Sequence, residues 1–140
     1  MADLDDGNEI AHRCGMAKEW DLKKRTMAFA LDVARFCRRL PETIEGRHVR
    51  GQLFRAGTGT AANYRAVCRS KSDPDLISKF GNTIEEADES AFWLEFSASL
   101  GLTRRGDERA LLGEANELVA IFMKGRETTR AKHRGKSRAS

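Results

Sequence analysis

The chain is expected to be all-α, an up-down-up-down four-helix bundle. Three observations predict it. Apolar residues recur at helical spacing through four segments, and almost nothing alternates as a strand does. Only two prolines occur, Pro41 and Pro74, and both stand where the helical pattern breaks. The intervening connections are short, roughly two to six residues, which makes consecutive helices antiparallel neighbours. With 140 residues, one domain with a single core is the simplest reading. Its expected parts are an acidic arm over 1–20, the bundle over 21–124 and a basic, flexible tail over 125–140.

The first helix is expected from about Asp21 to Leu40, stopped by Pro41. Leu22, Phe29, Val33, Phe36, Cys37 and Leu40 share one arc, and Met27, Ala30, Leu31 and Ala34 widen it sideways. The second runs from about Glu45 to Lys71. On it Val49, Leu53, Ala56, Thr60, Tyr64 and Val67 form the apolar face, and Arg47, Arg50, Arg55, Arg65 and Arg69 lie opposite. The third runs from Pro74 to Leu100, with Asp73 as N-cap and Gly101 as C-terminal stop. The fourth is expected from about Asp107 to Lys124, with Leu111, Leu112, Ala115, Leu118, Val119 and Phe122 on one side.

The stretch "FRAGTGTAAN" has glycines but neither the lysine nor the preceding strand of a phosphate loop. Gly57 and Gly59 instead suggest a tight helix crossing, because each costs about 1 kcal/mol relative to Ala in a helix interior. The arginine face has two readings: a solvated surface partly paired with the acidic residues of helix three, or a surface that contacts phosphates, with Phe54 available to stack on a base. The tail likewise reads either as a solvated end or as a nucleic-acid arm containing Lys132 and Arg134.

Helix three carries a core arc of Leu76, Ile77, Phe80, Ile84, Ala87, Ala91, Leu94 and Ala98. Its second half adds Phe92, Trp93, Phe96 and Leu100 on the other side. A bundle helix needs one buried face, so this surplus, together with Met27 and Leu31 of helix one, predicts a homo-oligomer.

Several chemistries lack their residues. The three cysteines, Cys14, Cys37 and Cys68, have neither CxxC nor Cys/His spacing and read as small buried hydrophobes. The cluster Glu85, Glu86, Asp88 and Glu89 lacks the Glu-x-x-His pairs of a di-iron bundle, since His12, His48 and His133 are scattered; Asp88 is the member nearest the apolar arc. No nucleophile, base and orienter set assembles, so no catalytic residue, metal or cofactor is expected. No apolar run approaches the roughly 18 residues of a membrane span, and "MADLDDGNEI" lacks the blocks of a signal peptide, so a cytoplasmic location is expected. Residues 1–21 carry 6 acidic and 2 basic side chains, and residues 124–140 carry 1 and 7. A polyanion would therefore meet the tail and the basic face first.

"KKRTMAFALDVARFCRRLPET", "GQLFRAGTGTAANYRAVCRSKS" and "LISKFGNTIEEADESAFWLEF" together resemble the bacterial four-helix-bundle family related to the 23S rRNA intervening-sequence proteins. The similarity spans about Asp21 to Arg130 and centres on Gln52-Leu53, Arg55-Ala56 and Ala62-Asn63, although Gly57 and Gly59 stand where many relatives carry larger residues. The resemblance implies an up-and-down bundle assembling as a ring-shaped homopentamer. It also implies a role like that of related proteins encoded in rRNA insertions or serving retroelements by binding nucleic acid and a reverse transcriptase. It implies no catalytic residues. The leading expectation is thus a non-enzymatic oligomeric protein that contacts RNA or DNA, and the alternative is a protein-interaction scaffold.

Overall fold

A computed structural model describes the backbone of residues 19–139 and the side chains of 21–139. The expected acidic arm up to residue 18, with His12 and Cys14, lies outside the described residues. Among the described residues four helices account for the architecture: α1 (Glu19–Cys37), α2 (Ile44–Val67), α3 (Asp73–Leu100) and α4 (Arg109–Ala139). No strand occurs among the described residues. Packing follows chain order. α3 lies between α2 and α4 with extensive contact on both, α1 packs on α2, and α1 meets α4 only narrowly.

The core is the predicted set of apolar arcs. Phe29, Val33 and Phe36 of α1, Val49, Leu53, Tyr64 and Val67 of α2, Leu76, Phe80 and Leu94 of α3, and Leu118 and Phe122 of α4 are at most 1% exposed. Tyr64 stacks on Phe122 with centroids 5.7 Å apart, joining α2 to α4 through the centre. Five buried hydroxyls are satisfied within their own helices: Thr60, Thr83, Ser90, Ser97 and Thr129 each donate to the carbonyl four residues earlier. This removes the cost of an unpartnered buried polar group.

Helix ends follow local chemistry. α1 ends at Cys37 rather than Leu40, and the chain reaches Leu40 through tight turns in which Arg39 N–H donates to Phe36 and Leu40 N–H to Cys37. Thr43 caps α2, its Oγ1 accepting from Gly46 N–H at 3.0 Å. The expected cap of α3 moves back one residue: Ser72 Oγ accepts from Asp75 N–H, and Asp75 in return accepts from Lys71 N–H at 3.0 Å. Asp73 and Pro74 then occupy the first helical positions, where the missing proline N–H costs nothing. Gly101 closes α3 in the left-handed region at φ 72°, as expected of a glycine stop.

The largest departure is α4, which continues fifteen residues past the expected end at Lys124. Gly125 and Thr129 extend the arc of Leu118 and Phe122 at helical spacing and are buried, so the core side of the helix does not end where its large apolar residues do. The segment expected as a tail from 125 is helical through Ala139, and only from Ala131 onward is it exposed on every side.

Gly57 is the tightest crossing. A Cβ there would lie 2.6 Å from Val33 Cγ1, so α1 and α2 approach at a distance that only glycine allows. The tight crossing expected at Gly57 is present, and it is made against the Val33 side chain.

Candidate functional site

The outer face of α2 presents Arg47, Arg55 and Arg65, and Arg69 follows in the turn just past its end; all four are exposed, with Phe54 48% exposed among them. From Arg47 to Arg69 the row extends roughly 30 Å at 1.5 Å per residue. Two of these arginines are lightly tethered: Arg47 Nη1 donates to the Glu42 carbonyl at 3.0 Å, and Arg55 Nη2 donates to Gln52 Oε1 at 2.8 Å.

Arg50 differs from the other four. It sits two turns before Gly57, on the side of α2 that meets α1, and is half-buried. Its Nη2 donates to the Leu40 carbonyl at 2.8 Å and pairs with Glu42 at 2.7 Å. This arginine fastens the α1–α2 connection, a task for a fixed guanidinium rather than one open to phosphate. Its backbone carbonyl also accepts a 3.6 Å bond from the Cys37 thiol, whose pKa burial pushes up to about 11. Cys37 and Cys68 are both buried and not joined in a disulfide.

Along the α2–α3 seam the acidic cluster divides. Glu86 and Glu89 are half-buried while Glu85 and Asp88 are exposed, so Asp88 is not the member closest to the core. Glu86 lies over Gly59, where a Cβ would come within 2.9 Å of its Oε2. Burial, and then the neighbouring Glu89, raise the Glu86 pKa, with Arg55 opposing the shift. Among the described residues no group of three or more His, Cys, Asp or Glu is placed to hold a metal ion.

The surplus apolar set of α3 forms one aromatic patch. Phe92 packs edge-on against Trp93 at 4.8 Å, Trp93 against Phe96 at 5.6 Å, and His48 of α2 against Trp93 at 5.4 Å. Phe92, Phe96 and Leu100 are 53%, 37% and 51% exposed. Trp93 is the inner member, packed on the core with its Nε1 donating to Glu89 at 3.4 Å. Sequence reasoning missed His48, whose position four residues before Gln52 on the α3-facing side of α2 was the available signal.

Met27 and Leu31 are about half exposed and lie apart from this patch. With Ala28 they floor a groove of about 420 Å³ between α1 and α2, rimmed by Lys23, Lys24 and Arg65. Of these cations, Lys23 and Lys24 were not singled out from the sequence, whereas Arg65 was. The two expected association surfaces are therefore chemically unlike, one aromatic beside carboxylates and one aliphatic beside cations.

Lys132 and Arg134 stand on the exposed end of α4. This end is tied to the start of α3, because Lys136 Nζ lies 3.0 Å and His133 Nδ1 3.7 Å from Asp73. The Lys136 hydrogen bond is the main cause that holds the Asp73 carboxyl below its ordinary range. Asp73 follows Arg69 by four residues, so the basic end of α4 meets the Arg65–Arg69 end of the α2 row; Arg47 is at the opposite end of the bundle.

No protein-family model matches the chain, and neither does any curated protein. Its fold is similar to the crystal structure of a protein of unknown function from the S23 ribosomal protein family of Bacteroides thetaiotaomicron. The two share 23% identity over 73% of this chain and 94% of the other, with a TM-score of 0.65. At that identity the likeness shows a shared fold.

Proposed function

We propose that the protein is a non-enzymatic, cytoplasmic, oligomeric binding protein, related to the 23S rRNA intervening-sequence group, that holds RNA or DNA by its phosphates. The observation that carries this reading is the exposed row of Arg47, Arg55, Arg65 and Arg69, which meets the basic end of α4 with Lys132 and Arg134. Such a row neutralises backbone charge without reading bases, so affinity should fall steeply with salt and depend weakly on sequence. Arg50 belongs to the fold rather than to this surface. The subunits associate through the aromatic patch and the Met27–Leu31 face, and a pentamer is the state that the family resemblance suggests.

The test is a binding titration at two salt concentrations with single-stranded RNA and duplex DNA, comparing the parent with Arg47→Ala/Arg55→Ala/Arg65→Ala/Arg69→Ala. Loss of affinity together with a shallower salt slope supports the reading. Unchanged binding removes α2 from it.

A second reading, a protein-binding scaffold, is favoured by the patch of His48, Phe92, Trp93 and Phe96, since large exposed aromatic surfaces mark protein contacts. Retention of a protein and no nucleic acid after a high-salt wash would select it.

A further inference from the structure

At the end of the bundle away from the α4 extension, the narrow α1–α4 contact leaves an open groove of about 640 Å³. One wall is the end of α1 and the turn after it, with Asp32, Arg35, Arg38 and Arg39; the other is the start of α4 and the turn before it, with Asp107 and Glu114 above a floor of Ala110 and Leu111. None of these arginines belongs to the α2 row.

The acids in the groove leave cationic capacity over. Glu114 is already held by Arg25, which donates to both its oxygens. Arg35 pairs with Asp32 at 3.0 Å, but both side chains are about 60% exposed, and such pairs are weak. Arg39 reaches Asp107 only at 3.8 Å and lies over the Phe36 ring, 5.4 Å from its centroid. The Arg38 guanidinium has no hydrogen bond or ion pair among the described residues. The first turn of α4 begins with Arg109 and contains no acidic side chain, the nearest carboxylates being Asp107 and Glu108 just before it. Arg104 and Arg105, both exposed, precede it.

We infer that this groove binds a phosphate monoester or pyrophosphate group, carried either by a free nucleotide or by the phosphorylated end of a polynucleotide. Three guanidinium groups within five residues offer forked donors matched to the several oxygens of such a terminal group. The volume suits a nucleotide-sized ligand, with Leu111 and Ala110 as the apolar floor that small-molecule sites usually have. Entry requires only that Arg39 leave its long contact with Asp107. This site is independent of the α2 surface, and pyrophosphate can occupy it whether or not long nucleic acids bind elsewhere.

The full chain is titrated with inorganic pyrophosphate, followed by calorimetry and by ³¹P line width, for the parent, Arg35→Ala/Arg38→Ala and the α2 control Arg65→Ala/Arg69→Ala. Saturable binding that weakens about tenfold or more in the first variant and holds in the control is expected, as the loss of charge-assisted hydrogen bonds dictates. Both sites are exposed, so thermal unfolding should confirm that each variant folds. ADP is then compared with 5′-phosphorylated and 5′-hydroxyl trinucleotides. Tighter binding of ADP assigns a free nucleotide, and tighter binding of the phosphorylated trinucleotide assigns a chain end. Absence of saturable pyrophosphate binding, or equal weakening in the control, overturns the inference.

Discussion

Arg25 of α1 donates to Glu114 of α4 through Nε at 2.8 Å and Nη2 at 2.7 Å, and the same Nη2 lies 3.0 Å from Glu117. Hydrogen bonds to Glu114 first and Glu117 second hold its pKa above even the usual arginine range. This fork spans the seam where α1 and α4 otherwise barely touch. Arg25→Ala should lower stability by about 0.5–1 kcal/mol, because the pair is one-third exposed and screened. Hydrogen exchange should rise along α1 and stay unchanged in α3.

Gly57→Ala should destabilise the protein by about 1–3 kcal/mol, since Val33 is β-branched and fully buried and cannot swing away from the new methyl group. That cost exceeds the roughly 1 kcal/mol of helix propensity gained. Combining it with Val33→Ala should give less than the sum of the two single losses, measured by urea denaturation.

Glu86 sets a pH dependence with a definite sign. Its folded pKa is raised by burial, so between the ordinary carboxylate value and that raised value the native state binds more protons than the unfolded chain. Stability contributed by this group is therefore present at low pH and lost as pH rises through that window. Glu86→Gln should raise the Tm at pH 7 and leave it nearly unchanged at pH 4. An equal gain at both pH values would assign the effect to packing against Gly59.

The association proposal predicts that Phe92→Asp/Phe96→Asp lowers the molar mass measured by light scattering at micromolar concentration while helix content stays constant. Both residues are over one-third exposed, so the change should cost little folding energy. Met27→Asp/Leu31→Asp tests the opposing face in the same way, and a mass unaltered by either variant would refute association through these surfaces.

In a Cys14→Ser background, Cys37 and Cys68 should resist a thiol reagent at pH 8 and react on unfolding. Both are buried, and Cys37 stays protonated at that pH.

Much of the fold was legible because helical periodicity reports burial directly: Phe29, Val33, Leu53, Tyr64 and Leu94 were assigned to the core from spacing alone. The second apolar side of α3 was legible for the same reason. The end of α4 was not, because Gly125 and Thr129 are buried through small size and an internal hydroxyl bond, neither of which a hydrophobic pattern records. Arg50 was grouped with the α2 arginines because its angle on the wheel differs little from theirs; what sets it apart is the Leu40 carbonyl within its reach, a tertiary fact. The Arg35–Arg38–Arg39 wall was visible only as charges at the end of a helix until α4 was placed opposite.

The order of packing also bears on how the chain reaches its native state. Each helix contacts chiefly its neighbour in sequence, so nearly every contact closes a short loop, and topology of this kind favours fast folding. The Arg25 fork is the shortest ion pair described between the first and last helices of the bundle. If it forms last, Arg25→Ala will steepen unfolding and leave the refolding rate almost untouched.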